Sequence, residues 1–222
     1  MRKPAVDYRQ FRLRQINEPE FKHLKLLFGW VGYFALYVLT ERMISPQRCF
    51  VVHSRLDDLI PFCEWFVIPY VFWYGLVAFS LAWFLLYNVE HFKALQTYII
   101  VTQVVAMAIY ILLPTRQDLR PEMFPRDNFL TDAVGVLYRI DTNTNVCPSL
   151  HVAYSLGIAS VWLREKTAKT AWKAFVVVAV VLICLSTMFI KQHSAVDVLA
   201  ALPVCALAEW IAFYRKKEKP AG

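Results

Sequence analysis

Apolar residues run along this chain in long continuous blocks and do not alternate with polar ones. Six stretches stand out, roughly Leu26–Ile44, Cys63–Tyr87, Phe92–Leu113, Ser149–Leu163, Trp172–Ile190 and His193–Phe213. Several approach the ~20 residues a helix needs to cross about 30 Å of hydrocarbon. Unbroken apolar runs predict helices, because the strands of a membrane barrel alternate in polarity. The fourth run, at 15 residues, is short, and relies on tilt of its neighbours, local thinning or burial in the bundle. Aromatic residues near many run ends fit interfacial anchors and a packed core equally well. The expected fold is all-α, a six-transmembrane-helix bundle with a long extracytoplasmic loop between helices 3 and 4. Helices 2 and 3 form a tight pair through Asn88–His91, and helices 4 and 5 through Arg164–Thr170. The long loop, Pro114–Cys147, is rich in Pro, Asp, Asn, Arg and Thr. It is not a span, and connections of this length are functional or disordered. No internal repeat or low-complexity tract is present.

Composition supports the membrane. The 222 residues are 58% hydrophobic and 18% charged, with a mean hydropathy of +0.42. A single soluble core of this size could not enclose that much apolar surface, so the bilayer must act as solvent for part of it. The length fits one domain. The net charge of +7 lies between hydrophobic runs and at the termini, not along one face, which fits membrane topology and not nucleic-acid binding. Sixteen Lys and Arg fall on the side that carries both termini and eight on the other. The positive-inside rule then places both termini in the cytoplasm, with the plasma membrane as the expected location. Three regions follow: a basic N-terminal segment at 1–25, an embedded domain at 26–213 and a basic tail at 214–222. The first 25 residues are polar and lack a cleavable signal, so the first apolar run is expected to be the membrane address. Cys49, Cys63, Cys147, Cys184 and Cys205 form no C-x-x-C pair, which argues against a disulfide framework or structural zinc. A Cys49–Cys63 bridge stays open if that loop faces an oxidising compartment. The oligomeric state is not legible.

Three strings carry possible chemistry, and the topology puts all of them on the extracytoplasmic side. They are Pro114-Thr-Arg-Gln-Asp-Leu-Arg-Pro121, Cys147-Pro-Ser-Leu-His151 and Lys191-Gln-His-Ser-Ala-Val-Asp197. Titratable residues at span ends are costly unless they face a polar cavity or one another. His193 and Asp197 share a helix face, and a carboxylate there fixes the imidazole tautomer and stabilises its cation. His151 opens the fourth run behind Pro148 and Ser149, where free backbone amides favour an anion. Arg120 offers a planar fork for phosphate oxygens, and Lys191 and Arg116 add positive charge. Singly, each has an ordinary reading: an interfacial His, a surface ion pair, a turn at Arg120-Pro121, a solvated Arg116, a snorkelling Lys191 or an N-cap Ser149. The phosphate reading rests on their coincidence, in order, on one side.

Together the strings resemble the type-2 phosphatidic acid phosphatase superfamily, which includes lipid phosphate phosphatases and inositol phosphotransferases. Its Arg-Pro, Pro-Ser-x-His and His-x-x-x-Asp motifs match Arg120-Pro121, Pro148-Ser149-Leu150-His151 and His193-x-x-x-Asp197, over about residues 110 to 200. The resemblance implies a six-helix bundle and a lipid phosphate or lipid diphosphate as substrate. It implies that His193 is the nucleophile, Asp197 its orienting partner and His151 the proton donor and acceptor. Arg120 and Ser149 would bind phosphoryl oxygens, with no metal or cofactor required. The sequence departs from the family at Leu113, where a Lys is usual, at Leu150 for Gly, and at Thr187 for Arg. Arg116 and Lys191 lie close enough in sequence to replace the two cations. Leu150 resembles the inositol phosphotransferase-like branch, and the lost cations shift weight toward a diester, a diphosphate or transfer to an alcohol. A non-enzymatic membrane carrier or lipid-binding protein is the reading from outside enzymology, and it predicts that His193 is dispensable.

Overall fold

The computed structural model describes residues 3–215. Arg2 and the lysines of the tail beyond Arg215, which enter the charge asymmetry, lie outside the described residues. In chain order the helices are α1 (Phe28–Met43), α2 (Arg55–Leu59), α3 (Val67–Tyr87), α4 (Val89–Leu112), α5 (Phe129–Ile140), α6 (Leu150–Arg164), α7 (Thr170–Phe189) and α8 (Ala195–Glu209), which continues into a π-helical turn, Trp210–Tyr214. The strands are minimal: β1 (Phe50–Val51) pairs in parallel with β2 (Thr115–Arg116). The protein is therefore all-helical. Among the described residues five rods are long and apolar enough to cross a membrane: Lys22–Met43, Glu64–Tyr87, Val89–Leu112, Thr170–Phe189 and Ala195–Tyr214. That is the pattern of an integral membrane protein.

The short fourth apolar run becomes α6, and its place in the bundle accounts for its length. It packs against α3, α4, α7 and α8, and residues on all its faces are buried, from Leu150 and Val152 to Val161 and Trp162. A helix surrounded by protein does not have to match the hydrocarbon thickness. Gly157 lets α4 come close, since a Cβ there would lie 2.6 Å from the Tyr98 ring. Where lipid is the alternative environment, helices associate through such close packing and through interhelical hydrogen bonds, each contributing about 0.6 kcal/mol. The Trp162 indole donates to Ser80 Oγ at 3.0 Å, and the Trp30 indole to Gln96 Oε1 at 3.2 Å.

Both expected tight pairs are present. Asn88 separates α3 from α4, its side-chain oxygen capping the His91 amide at 3.2 Å. Buried Glu165 ends α6 and ties the two turns together, accepting from Asn88 Nδ2 at 2.7 Å and lying 3.0 Å from His91 Nδ1. The N-terminal segment packs at this same end, where Ala5 N donates to Leu86 O at 2.7 Å.

The long connection is more ordered than its composition predicts. It contains α5, begun by an Asn128–Thr131 capping box, whose Val134 and Leu137 pack on Val67, Tyr70 and Ile190. The bidentate Arg126–Glu64 pair, with both contacts at 2.6 Å, fastens the start of this segment to the foot of α3. Cys49 and Cys63 are free thiols, and Cys49 Sγ contacts Ser45 O at 3.7 Å.

Candidate active site

The α7–α8 turn is the centre of the site. Lys191 adopts a left-handed conformation, φ 57°, that stops α7, and the amides of Gln192 and His193 both donate to Thr187 O at 2.9 Å. Ser194 then caps α8 in a capping box with Asp197. This box is a local reason for the Ser194-x-x-Asp197 spacing. Asp197 Oδ2 accepts from Ser194 N at 3.0 Å and lies 3.2 Å from His193 Nδ1. The fully buried carboxylate therefore fixes the ring and leaves Nε2 as the nitrogen it does not engage. Cys147 lies against the same carboxylate. Burial first, and the Asp197 charge second, push its thiol up to about 12, so it is not a thiolate at neutral pH.

The second histidine arrives on α6. Ser149 Oγ caps this helix on Val152 N at 3.4 Å, and Ser149 N donates to Asp197 O at 3.1 Å, locking the α6 start to α8. Tyr110 pins the preceding residue by donating to Pro148 O at 2.6 Å. His151 and His193 then meet with ring centroids 5.8 Å apart. His151 is held between Tyr70 and Trp73, whose centroids lie 4.4 and 4.2 Å from its own. Its Nε2 is buried without a hydrogen-bond partner among the described residues. An unmet polar atom of this kind costs about 1–3 kcal/mol, and on a cavity wall it is open to a partner from the cavity.

Of the other four predicted residues, Ser149 reaches the site as a fully buried cap, and Arg120 stands just behind it. The Arg120 guanidinium lies 4.3 Å above the Tyr138 ring. It donates to Tyr138 O at 3.0 Å, Asp141 O at 2.6 Å and Gln192 Oε1 at 2.6 Å. Burial lowers its pKa from the usual arginine value. The structure does not bring Lys191 and Arg116 to the histidines. Lys191 Nζ donates to Asp57 O at 2.8 Å and Ile60 O at 2.5 Å, closing the end of α2. Arg116 pairs with Asp118 at 3.2 Å and donates to Pro46 O at 3.0 Å.

The sequence reading missed Asp57, Asp141 and Gln192. Asp57 reaches across from α2 to the α7–α8 turn, and its buried carboxylate accepts from Ser194 Oγ at 2.6 Å and Ala195 N at 2.7 Å. Burial pushes its pKa up, but these bonds and those from Ser54 outweigh it and hold the group below the usual range. The Ser54-x-x-Asp57 capping box was the available signal. Asp141 and Gln192 follow α5 and α7; Gln192 lies within the Lys191–Asp197 string but has no role assigned there, and nothing in the local sequence marks Asp141.

Both histidines face a cavity of about 460 Å³ between α1 and α3, with Asp141 and Gln192 beside them. Trp30, Tyr33 and Tyr37 form its α1 wall and Trp73 and Tyr74 its α3 wall. α1 packs on α4, and its aromatic side chains face those of α3 across the cavity. The loop above is tied to α1 through Glu41, which accepts from Thr142 Oγ1 at 2.7 Å, Thr144 Oγ1 at 3.0 Å and Asn145 Nδ2 at 2.6 Å.

No protein-family model matches this chain, and no curated protein or solved structure matches it either.

Proposed function

We propose that the chain crosses the membrane six times, with α6 as the sheltered fourth span, and is a lipid phosphatase acting through a phosphohistidine. The observation that carries this reading is the pair of histidines on one cavity, one fixed by a buried carboxylate and the other with an unmet ring nitrogen. His193 Nε2 attacks phosphorus, forming a P–N bond as the P–O bond to the lipid alcohol breaks. His151 gives a proton to the departing alkoxide. His151 then takes a proton from the incoming water, whose oxygen displaces His193 and restores both rings. Asp197 stabilises the imidazolium character of His193 in both steps. Arg120 holds the Asp141 and Gln192 segments at the cavity edge. The positive-inside count supports an extracytoplasmic site.

An alcohol acceptor in place of water uses the same steps. Leu150 and Thr187, where the chain departs from the phosphatase pattern, favour this second reading. The test is phosphate release from phosphatidate, lysophosphatidate and undecaprenyl diphosphate, with purified protein in detergent and EDTA. Release by wild type and none by His193→Ala is expected. Equal release by both would remove His193 from the chemistry. No release by either sends the assay to alcohol acceptors, and failure there favours a carrier or lipid-binding role.

A further inference from the structure

The chamber beside the histidines has the wrong charge for a simple anion pocket. Among the described residues no Lys or Arg side chain lines it, whereas Asp141 does. One Asp141 oxygen, Oδ2, accepts from Tyr70 Oη at 2.5 Å. The other has no hydrogen-bond partner among the described residues. Arg120 donates to the Asp141 backbone carbonyl and makes no hydrogen bond to its carboxylate, although the two charges act on each other. Tyr33 and Tyr37 from α1 and Trp73 and Tyr74 from α3 line the same cavity. Asp141 is close enough for its charge to act on Tyr33, Tyr37 and Tyr74.

Aromatic faces carry a negative quadrupole that attracts cations, Trp most strongly, and the attraction grows when water is excluded. Facing walls of such rings with one carboxylate make a receptor for an ammonium group. A lipid phosphate or diphosphate without a cation would meet Asp141 as a like charge. Resting on the phosphoryl-transfer reading above, we infer that the chamber holds the ammonium of a zwitterionic phospholipid head group while its phosphodiester lies at the histidines. In choline- or ethanolamine-type head groups a short ethylene unit separates the two charges, and the chamber adjoins the histidines on the same cavity. The class thus assigned is a phosphodiester bearing an ammonium.

Binding can be read without turnover. Tryptophan fluorescence of His193→Ala, in maltoside detergent, would be titrated with dihexanoyl phosphatidylcholine and phosphatidylethanolamine, and with phosphatidylglycerol and phosphatidate of the same chain. The two ammonium lipids are expected to bind about 10-fold tighter than the two anionic ones. Adding Asp141→Asn, which keeps the side chain's size, should erase most of that preference, and Tyr74→Leu should reduce it. Equal affinity for all four lipids would overturn the inference, and so would a preference that Asp141→Asn leaves intact. If the Asn variant does not fold, the comparison of the four head groups decides alone. A preference in binding without release of phosphocholine or phosphoethanolamine from these two lipids by wild type, the product expected when diacylglycerol leaves and water cleaves the P–N bond, would keep this site and remove the phosphohistidine. Turnover without the preference would do the reverse.

Discussion

Asp57 and Asp197 grip the same turn from two sides, and this double hold is what fixes His193. Asp197 contacts the ring, while Asp57 anchors the backbone and hydroxyl next to it. Replacing Asp197 with Asn keeps the cap but permits the wrong tautomer, so turnover should fall about 100- to 10,000-fold with KM changed only a few-fold. Steady-state kinetics on the substrate found for wild type would check this, and unchanged turnover would reduce the pair to helix capping. The histidine–carboxylate set was legible in the sequence because its spacing is local. The cations misled for the opposite reason. Lys191 and Arg116 announce charge, but their carbonyl partners at Asp57, Ile60 and Pro46 are remote in sequence. Asp57 was hidden in the same way, being 137 residues from Ser194.

Among the elements, α6 bears the closest contacts and α5 was the least foreseeable. Adding a methyl at Gly157 forces it into the buried Tyr98 ring, and overpacking of this kind costs about 1–3 kcal/mol. Thermal unfolding of Gly157→Ala in detergent should show that loss, whereas an unchanged Tm would mean that α4 and α6 are not so tightly apposed. Long apolar runs disclosed the other rods. In α5 the apolar residues Leu130, Val134 and Leu137 are spaced helically, but the helix is only 12 residues long and the surrounding Pro and Asp hid the period. At the opposite end of the bundle, Glu165 makes the turns pH-sensitive. Burial opposes its charge, but bonds from Thr167, Asn88 and His91 hold its pKa at about 2. A folded pKa below the unfolded one stabilises the protein above the unfolded value of 4.5, and that contribution disappears as pH falls toward about 2. Glu165→Gln should therefore be less stable than wild type at pH 7 by about 1–3 kcal/mol. The gap should close on acidification through this window, and a gap independent of pH would contradict the assignment.

For the molecule as a whole, the fold gives one end of a helical bundle to structural turns and the other to the cavity between α1 and α3 that holds both histidines. The most direct test of the phosphohistidine is to trap it. A phosphate ester of p-nitrophenol, whose leaving group needs no proton, would be mixed with His151→Ala and quenched in alkali, which phosphohistidine survives. Peptide mass spectrometry should then find the phosphoryl group on His193, and none in His151→Ala/His193→Ala. Release of nitrophenol with no adduct on His193, or an adduct on another residue, would contradict the account.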